Sequence, residues 1–82
     1  MIKLGTRVKL SKFNGTMDTP KNCDESENYW SLIGEYGKVV KEKNVRLRVL
    51  VQFENIKKLK FLHCHNEIEN SLWILKTDVE LA

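Results

Sequence analysis

Long apolar runs are absent from this 82-residue sequence. Residues 1–10 lack the apolar run of a signal peptide, and no window approaches the roughly 18 apolar residues that a membrane-spanning helix needs. The sequence has only two cysteines, Cys23 and Cys64. We therefore expect a cytoplasmic protein that has no membrane partner and keeps both thiols free.

Signatures of catalysis are also missing. The chain has no phosphate-binding glycine loop, no nucleophile beside an orienting base and no paired carboxylates in a pocket. Residues 1–82 form one domain, and a domain of this size has little room for a deep substrate cavity. We expect a protein that is not an enzyme and needs no cofactor.

The sequence does contain apolar residues at every second position, the pattern of half-buried strands. This alternation predicts five strands, at residues 4–10, 38–42, 45–53, 59–65 and 79–81. In the third strand, which we expect at the centre of the sheet, five apolar residues share one face: Val45, Leu47, Val49, Val51 and Phe53.

The connections are predicted from turn-forming residues. Gly34 and Gly37 favour a backbone bend before the second strand, and Lys43-Asn44 favours a tight turn after it. Residues 72–75 are a short apolar run, with a helix over 66–75 as the alternative. Trp73 in this run is expected in the core with Phe53.

Several short motifs follow one another along the chain. They are Gly5-x-x-Val8-x-Leu10, a long loop, Gly34-x-x-Gly37-x-Val39, Val49-x-Val51-x-Phe53, Trp73-Ile74 and Asp78-x-Glu80-Leu81. This order resembles the small bacterial and phage SH3-like barrels, and it is similar to their KOW-type and mind-bomb-type members. The resemblance implies an all-β, five-stranded, partly open SH3-like barrel whose long loop after the first strand overhangs one end. It also implies a binding role, since KOW-type members bind ribosomal RNA or transcription partners.

The long loop, residues 11–31, carries the first candidate site. Loops of this length in small domains are often functional, and this one is acidic and ends in aromatic residues that can form a platform for a partner. We expect it to bind another protein. The candidate residues are Asp24, Glu25, Glu27, Tyr29, Trp30 and Tyr36. The alternative is that Trp30 only closes the open end of the barrel.

Basic residues in the middle of the chain make the second candidate site. Residues 35–62 hold eight of the fourteen lysines and arginines but three of the eleven acidic residues. As an alternative to protein binding, a basic hairpin surface can bind RNA or DNA. The candidates are Lys38, Lys41, Arg46, Arg48, Lys57, Lys58 and Lys60. If these side chains lie apart, they only keep the domain soluble.

His63-Cys64-His65 has the residue types of a zinc site. On a strand, however, residues 63 and 65 point to one face and residue 64 to the other. The two histidines could meet only Cys23 from elsewhere in the chain, which leaves a fourth ligand to be found. We therefore predict no metal site.

Overall fold

The computed structural model describes residues 2–43, 47–60, 62 and 68–82, and most of its regular secondary structure is strand. The strands and the α-helix are β1 Arg7–Leu10, β2 Tyr36–Lys43, β3 Arg48–Phe53, α1 Ile56–Leu59, β4 Ser71–Leu75 and β5 Val79–Leu81. The described residues also contain 3₁₀ turns at Glu25–Glu27, Tyr29–Leu32 and Lys76–Asp78. The predicted all-β class is confirmed.

The five strands form one antiparallel sheet in the order β4-β3-β2-β1-β5. The first four strands follow one another as a meander, and β5 returns beside β1, where Leu10 pairs with Val79. Strands β4 and β5 therefore lie at the two edges, and the described residues contain no ladder that joins them. Backbone pairing between these strands does not close the sheet.

The hydrophobic core lies on one face of the sheet. Val39 and Val51 are fully buried there. Phe13 of the long loop and Leu32, which follows the loop, pack against this face, and Leu59 at the end of α1 belongs to the same cluster. Burying each such side chain stabilises the fold by about 1.5–3 kcal/mol. The long loop is thus part of the packed domain.

A β-bulge interrupts the alternation of β2. Val39 opposes Val51, whereas Lys41 opposes Leu50, so two steps along β2 match one step along β3. The extra residue keeps the charged side chain of Lys41 on the face of the sheet opposite the core, called the outer face below. Without it, Lys41 would oppose the fully buried Val49.

The predicted fourth strand, residues 59–65, is wrong at Leu59, which ends α1. Phe61 and residues 63–67 lie outside the described residues. The fourth strand is instead β4, where the sequence indicated only a short apolar run, and the helical alternative is wrong there. Leu72 and Ile74 oppose the core residues Val51 and Val49 of β3, so every second residue of β4 is buried in the core, as expected for a strand.

Three apolar residues differ from their predicted positions. Leu4 is exposed because the chain turns at Gly5, whose φ is 87°, and β1 begins only at Arg7. Leu47 is also exposed, since it has a φ of 54° and precedes β3. Trp73 is half-buried and opposes Leu50 on the outer face, so its expected place in the core is wrong. Phe53 is in the core as predicted.

The turn predictions around β2 hold only in part. Gly34 has a φ of 95° and makes the expected bend, but Gly37 lies within β2. Lys43 still pairs with Arg48, so it belongs to the strand, while Asn44 lies outside the described residues.

Candidate binding sites

The long loop is fastened to the sheet at its start. Its Asn14-Gly15 step forms a tight turn with φ values of 51° and 80°, closed by two hydrogen bonds between Phe13 and Thr16. The Gly15 amide donates to a carboxylate oxygen of Asp78 at 3.2 Å, and Asp78 is only 1% exposed. The Asp78 carbonyl also accepts from the amides of residues 11 and 12. This network fixes the loop to the turn before β5.

Three aromatic rings hold the other end of the loop. The Phe13 ring lies 5.2 Å from that of Tyr29 and 4.9 Å from that of Trp30, the latter edge to face. Phe13 is buried, while Tyr29 and Trp30 are half-buried against the core. Each aromatic pair adds about 0.5–1.5 kcal/mol to the burial of its rings. These ring contacts fold the end of the loop back onto the domain, so part of the role of Trp30 is structural.

These rings form part of a pocket of about 580 Å³ within the loop. The residues that line it are Phe13, Asn14, Pro20, Lys21, Asn22, Cys23, Asp24, Glu27, Tyr29 and Trp30. Four predicted protein-binding residues thus come together: Asp24, Glu27, Tyr29 and Trp30. Glu25 is exposed in the same 3₁₀ turn but does not line the pocket. Sequence reasoning missed Phe13, whose aromatic character in a polar loop was the available signal.

Local hydrogen bonds shape the acidic side of the pocket. Asp24 caps the 3₁₀ turn, and its Oδ1 accepts from both the amide and the hydroxyl of Ser26, at 3.0 and 2.9 Å. The half-buried thiol of Cys23 donates weakly to the carbonyl of Glu27 at 3.6 Å. Hydrogen bonds within residues 23–27 therefore hold the backbone that carries the carboxylates of Asp24 and Glu27.

The indole of Trp30 carries an unusual polar atom. Its Nε1 is buried and, among the described residues, has no hydrogen-bond partner. A buried donor without an acceptor costs about 1–3 kcal/mol. Because this atom is buried, a partner in the pocket contacts the exposed part of the Trp30 ring and not Nε1.

The predicted nucleic-acid residues do not form one group of equivalent side chains. Lys38 and Lys41 are exposed on the outer face. Arg48 is half-buried and donates to Asn14 Oδ1 at 3.1 Å and to the Trp73 carbonyl at 3.3 Å, so it supports the loop. Arg46 lies outside the described residues.

The remaining three lysines lie on α1 or just after it. Lys57 and Lys60 are exposed. Lys58 forms an ion pair with Glu35 at 3.1 Å and donates to the carbonyl of Ser31 at 3.4 Å. These lysines are therefore carried by a different element from Lys38 and Lys41, and one of them has an intramolecular partner.

Tyr36 does not line the loop pocket, so the structure does not bring it together there with Tyr29 and Trp30. It starts β2 on the outer face, where Arg7 lies over its ring with 4.4 Å from Cζ to the ring centroid. Arg7 also makes two hydrogen bonds to the Glu54 carboxylate, of 2.8 and 3.0 Å. This contact raises the pKa of Arg7 and lowers that of Glu54 from their ordinary values.

The described residues contain no group of three histidine, cysteine or acidic side chains placed to hold a metal ion. His63, Cys64 and His65 lie outside those residues. None of the described helices has the length and apolar character needed to cross a bilayer.

In comparisons with known proteins, no family model, curated protein or solved structure matches this chain.

Proposed function

We propose that this domain is a non-enzymatic binding module that captures a segment of another protein in the pocket of its long loop. The observation that carries the proposal is the meeting of aromatic rings and carboxylates in one pocket of about 580 Å³. Tyr29 and Trp30 offer apolar surface, while Asp24 and Glu27 favour basic groups on the partner.

The packing of the loop also supports binding. Phe13 and Asp78 hold the loop at two points, so little conformational freedom remains to be lost when a partner binds.

We further propose that the fold is a partly open SH3-like barrel. The support is the strand order, in which a four-strand meander is followed by β5 beside β1, and the long loop that covers the core next to them. In such a barrel the curvature of the sheet brings its edges towards each other, and no edge ladder is needed.

The test is affinity capture from extracts of the source cells, with carboxylate variants of the domain as bait. We expect Asp24→Asn/Glu27→Gln to lose a partner that the unchanged domain retains, because the acidic groups of the pocket are gone. Glu25→Gln is the matched control, since it removes a charge from the same 3₁₀ turn but outside the pocket. The purified partner is then titrated against each variant.

Trp30→Phe tests the same site without removing the ring contact to Phe13. We expect it to fold and to bind the purified partner more weakly, because the smaller ring offers less apolar surface to the partner. The proposal would be contradicted if Trp30→Phe and the double carboxylate variant both bound the partner as tightly as the unchanged domain does. So would equal losses in Glu25→Gln and the double variant.

A further inference from the structure

The outer face of β1 and β2 presents a second cluster, which the loop pocket does not use. Arg7 and Lys9 alternate with the buried residues of β1, and Tyr36 and Lys38 do so on β2. The register places Arg7 directly opposite Lys38 and Lys9 directly opposite Tyr36. All four side chains therefore lie on neighbouring positions of one face of the sheet.

The guanidinium of Arg7 is held in a fixed position. It lies over the Tyr36 ring on one side, and the Glu54 carboxylate binds two of its nitrogens in a fork. The Arg7 side chain is nevertheless 56% exposed. A planar group that is fixed, charged and open to solvent is a surface on which a nucleobase can stack.

The cations around Arg7 repel one another, which lowers the stability of the sheet. Like charges directly opposite each other on paired strands destabilise a sheet, and Arg7 and Lys38 form such a pair. Lys9 lies nearby, with its Nζ 6.0 Å from the Tyr36 centroid. Lys41 continues the row along β2. An anionic ligand removes this repulsion.

From this geometry we infer that the outer face binds single-stranded nucleic acid. A base stacks on the exposed side of Arg7, which Tyr36 and Glu54 hold in place, and Lys38 contacts a backbone phosphate. Glu54 neutralises part of the Arg7 charge, and Glu80 opposes Lys9, so affinity depends on stacking as well as on charge. The site is centred on Arg7, which the sequence-based nucleic-acid set did not include.

The experiment measures fluorescence anisotropy of a labelled single-stranded dT12 and of its duplex with dA12, at several salt concentrations. Arg7→Lys keeps the charge but loses the planar group, and we expect it to weaken dT12 binding by about fivefold or more. Lys38→Gln is expected to lower the slope of log affinity against log salt by about 1. Lys57→Gln removes a charge from α1 as the control and is expected to have little effect.

Inorganic polyphosphate, which has no bases, serves as a competitor. We expect it to displace dT12 poorly from the unchanged domain. The inference is overturned if dT12 does not bind at low salt, if Arg7→Lys binds as the unchanged domain does, or if polyphosphate and the duplex bind as tightly. Equal losses in Lys38→Gln and Lys57→Gln would show a diffuse electrostatic effect and would also overturn it. Because Lys38 is exposed, its variant tests the site even if Arg7→Lys fails to fold.

Discussion

Gly37 tests how closely β2 and β3 approach each other. The residue lies within β2, opposite Phe53, and it has no positive φ that would explain a glycine. A Cβ at this position would lie 2.6 Å from Cγ1 of Val51 and 2.8 Å from the carbonyl oxygen of Gln52. Ordinary contacts between carbon atoms are about 3.5–4.0 Å. Gly37→Ala therefore requires a shift of roughly 1 Å in one of the strands.

The expected loss follows from what can move. Val51 is fully buried and the Gln52 oxygen belongs to the backbone, so neither can turn away. Forcing an extra methyl group into such a site lowers the free energy of unfolding by about 1–3 kcal/mol. Alanine also reduces the conformational entropy of the unfolded chain, which raises the free energy of unfolding by about 0.4–1 kcal/mol. A net loss of about 1–2 kcal/mol lowers Tm by roughly 5–15 °C for a domain of this size.

Thermal and urea unfolding measure this loss. Lys38→Ala is the control, because it changes the exposed neighbour of Gly37 in β2 and adds no atom to the core. Its Tm should change little. In a Val51→Ala background, Gly37→Ala should cost less, since Cγ1 has been removed. A penalty that is the same in both backgrounds, or no penalty at all, would refute the reasoning.

Two further predictions concern the contacts that hold the domain together. Asp78→Ala removes the acceptor of the Gly15 amide, so we expect the domain to lose about 1–3 kcal/mol in urea unfolding and the Gly15 amide to exchange faster with solvent; unchanged exchange would argue against the anchor. Arg7→Gln should raise the pKa of Glu54 towards its ordinary value, because the Arg7 hydrogen bond is what lowers it. The ion pair thus adds to stability above the ordinary glutamate pKa, and the contribution is lost as pH falls through the lowered pKa. An NMR titration of Glu54 measures this, and an unchanged midpoint would contradict the assignment.

The sequence pattern predicted the strands well where alternation determines burial. Val8 and Leu10 of β1 and Val49, Val51 and Phe53 of β3 follow it closely. It failed at Leu59, because a helical turn can bury one residue and expose its neighbours just as a strand does. Leu47 was assigned to the buried face, but its backbone lies outside the strand, and alternation alone does not reveal a positive φ.

The candidate site could be predicted only in part from the sequence. Composition pointed to Asp24, Glu27, Tyr29 and Trp30, and these four residues line one pocket. It also grouped Tyr36 with them, because Tyr36 is close to Tyr29 and Trp30 in the sequence, although it does not line the pocket. Arg7 was not proposed, since its partner Glu54 is 47 residues away in the sequence and only strand pairing brings them together.

Substitutions in the loop pocket and on the outer face of the sheet should differ in their effect on stability. The pocket depends on the loop being held by Phe13 and Asp78, so a change in either contact should affect stability and protein binding together. The outer face stands on paired strands, and its side chains project from a backbone that the core already fixes. Changes such as Lys38→Gln should therefore alter nucleic-acid binding while leaving stability nearly unchanged. A variant that separates stability from binding is thus easier to obtain on the sheet than in the loop.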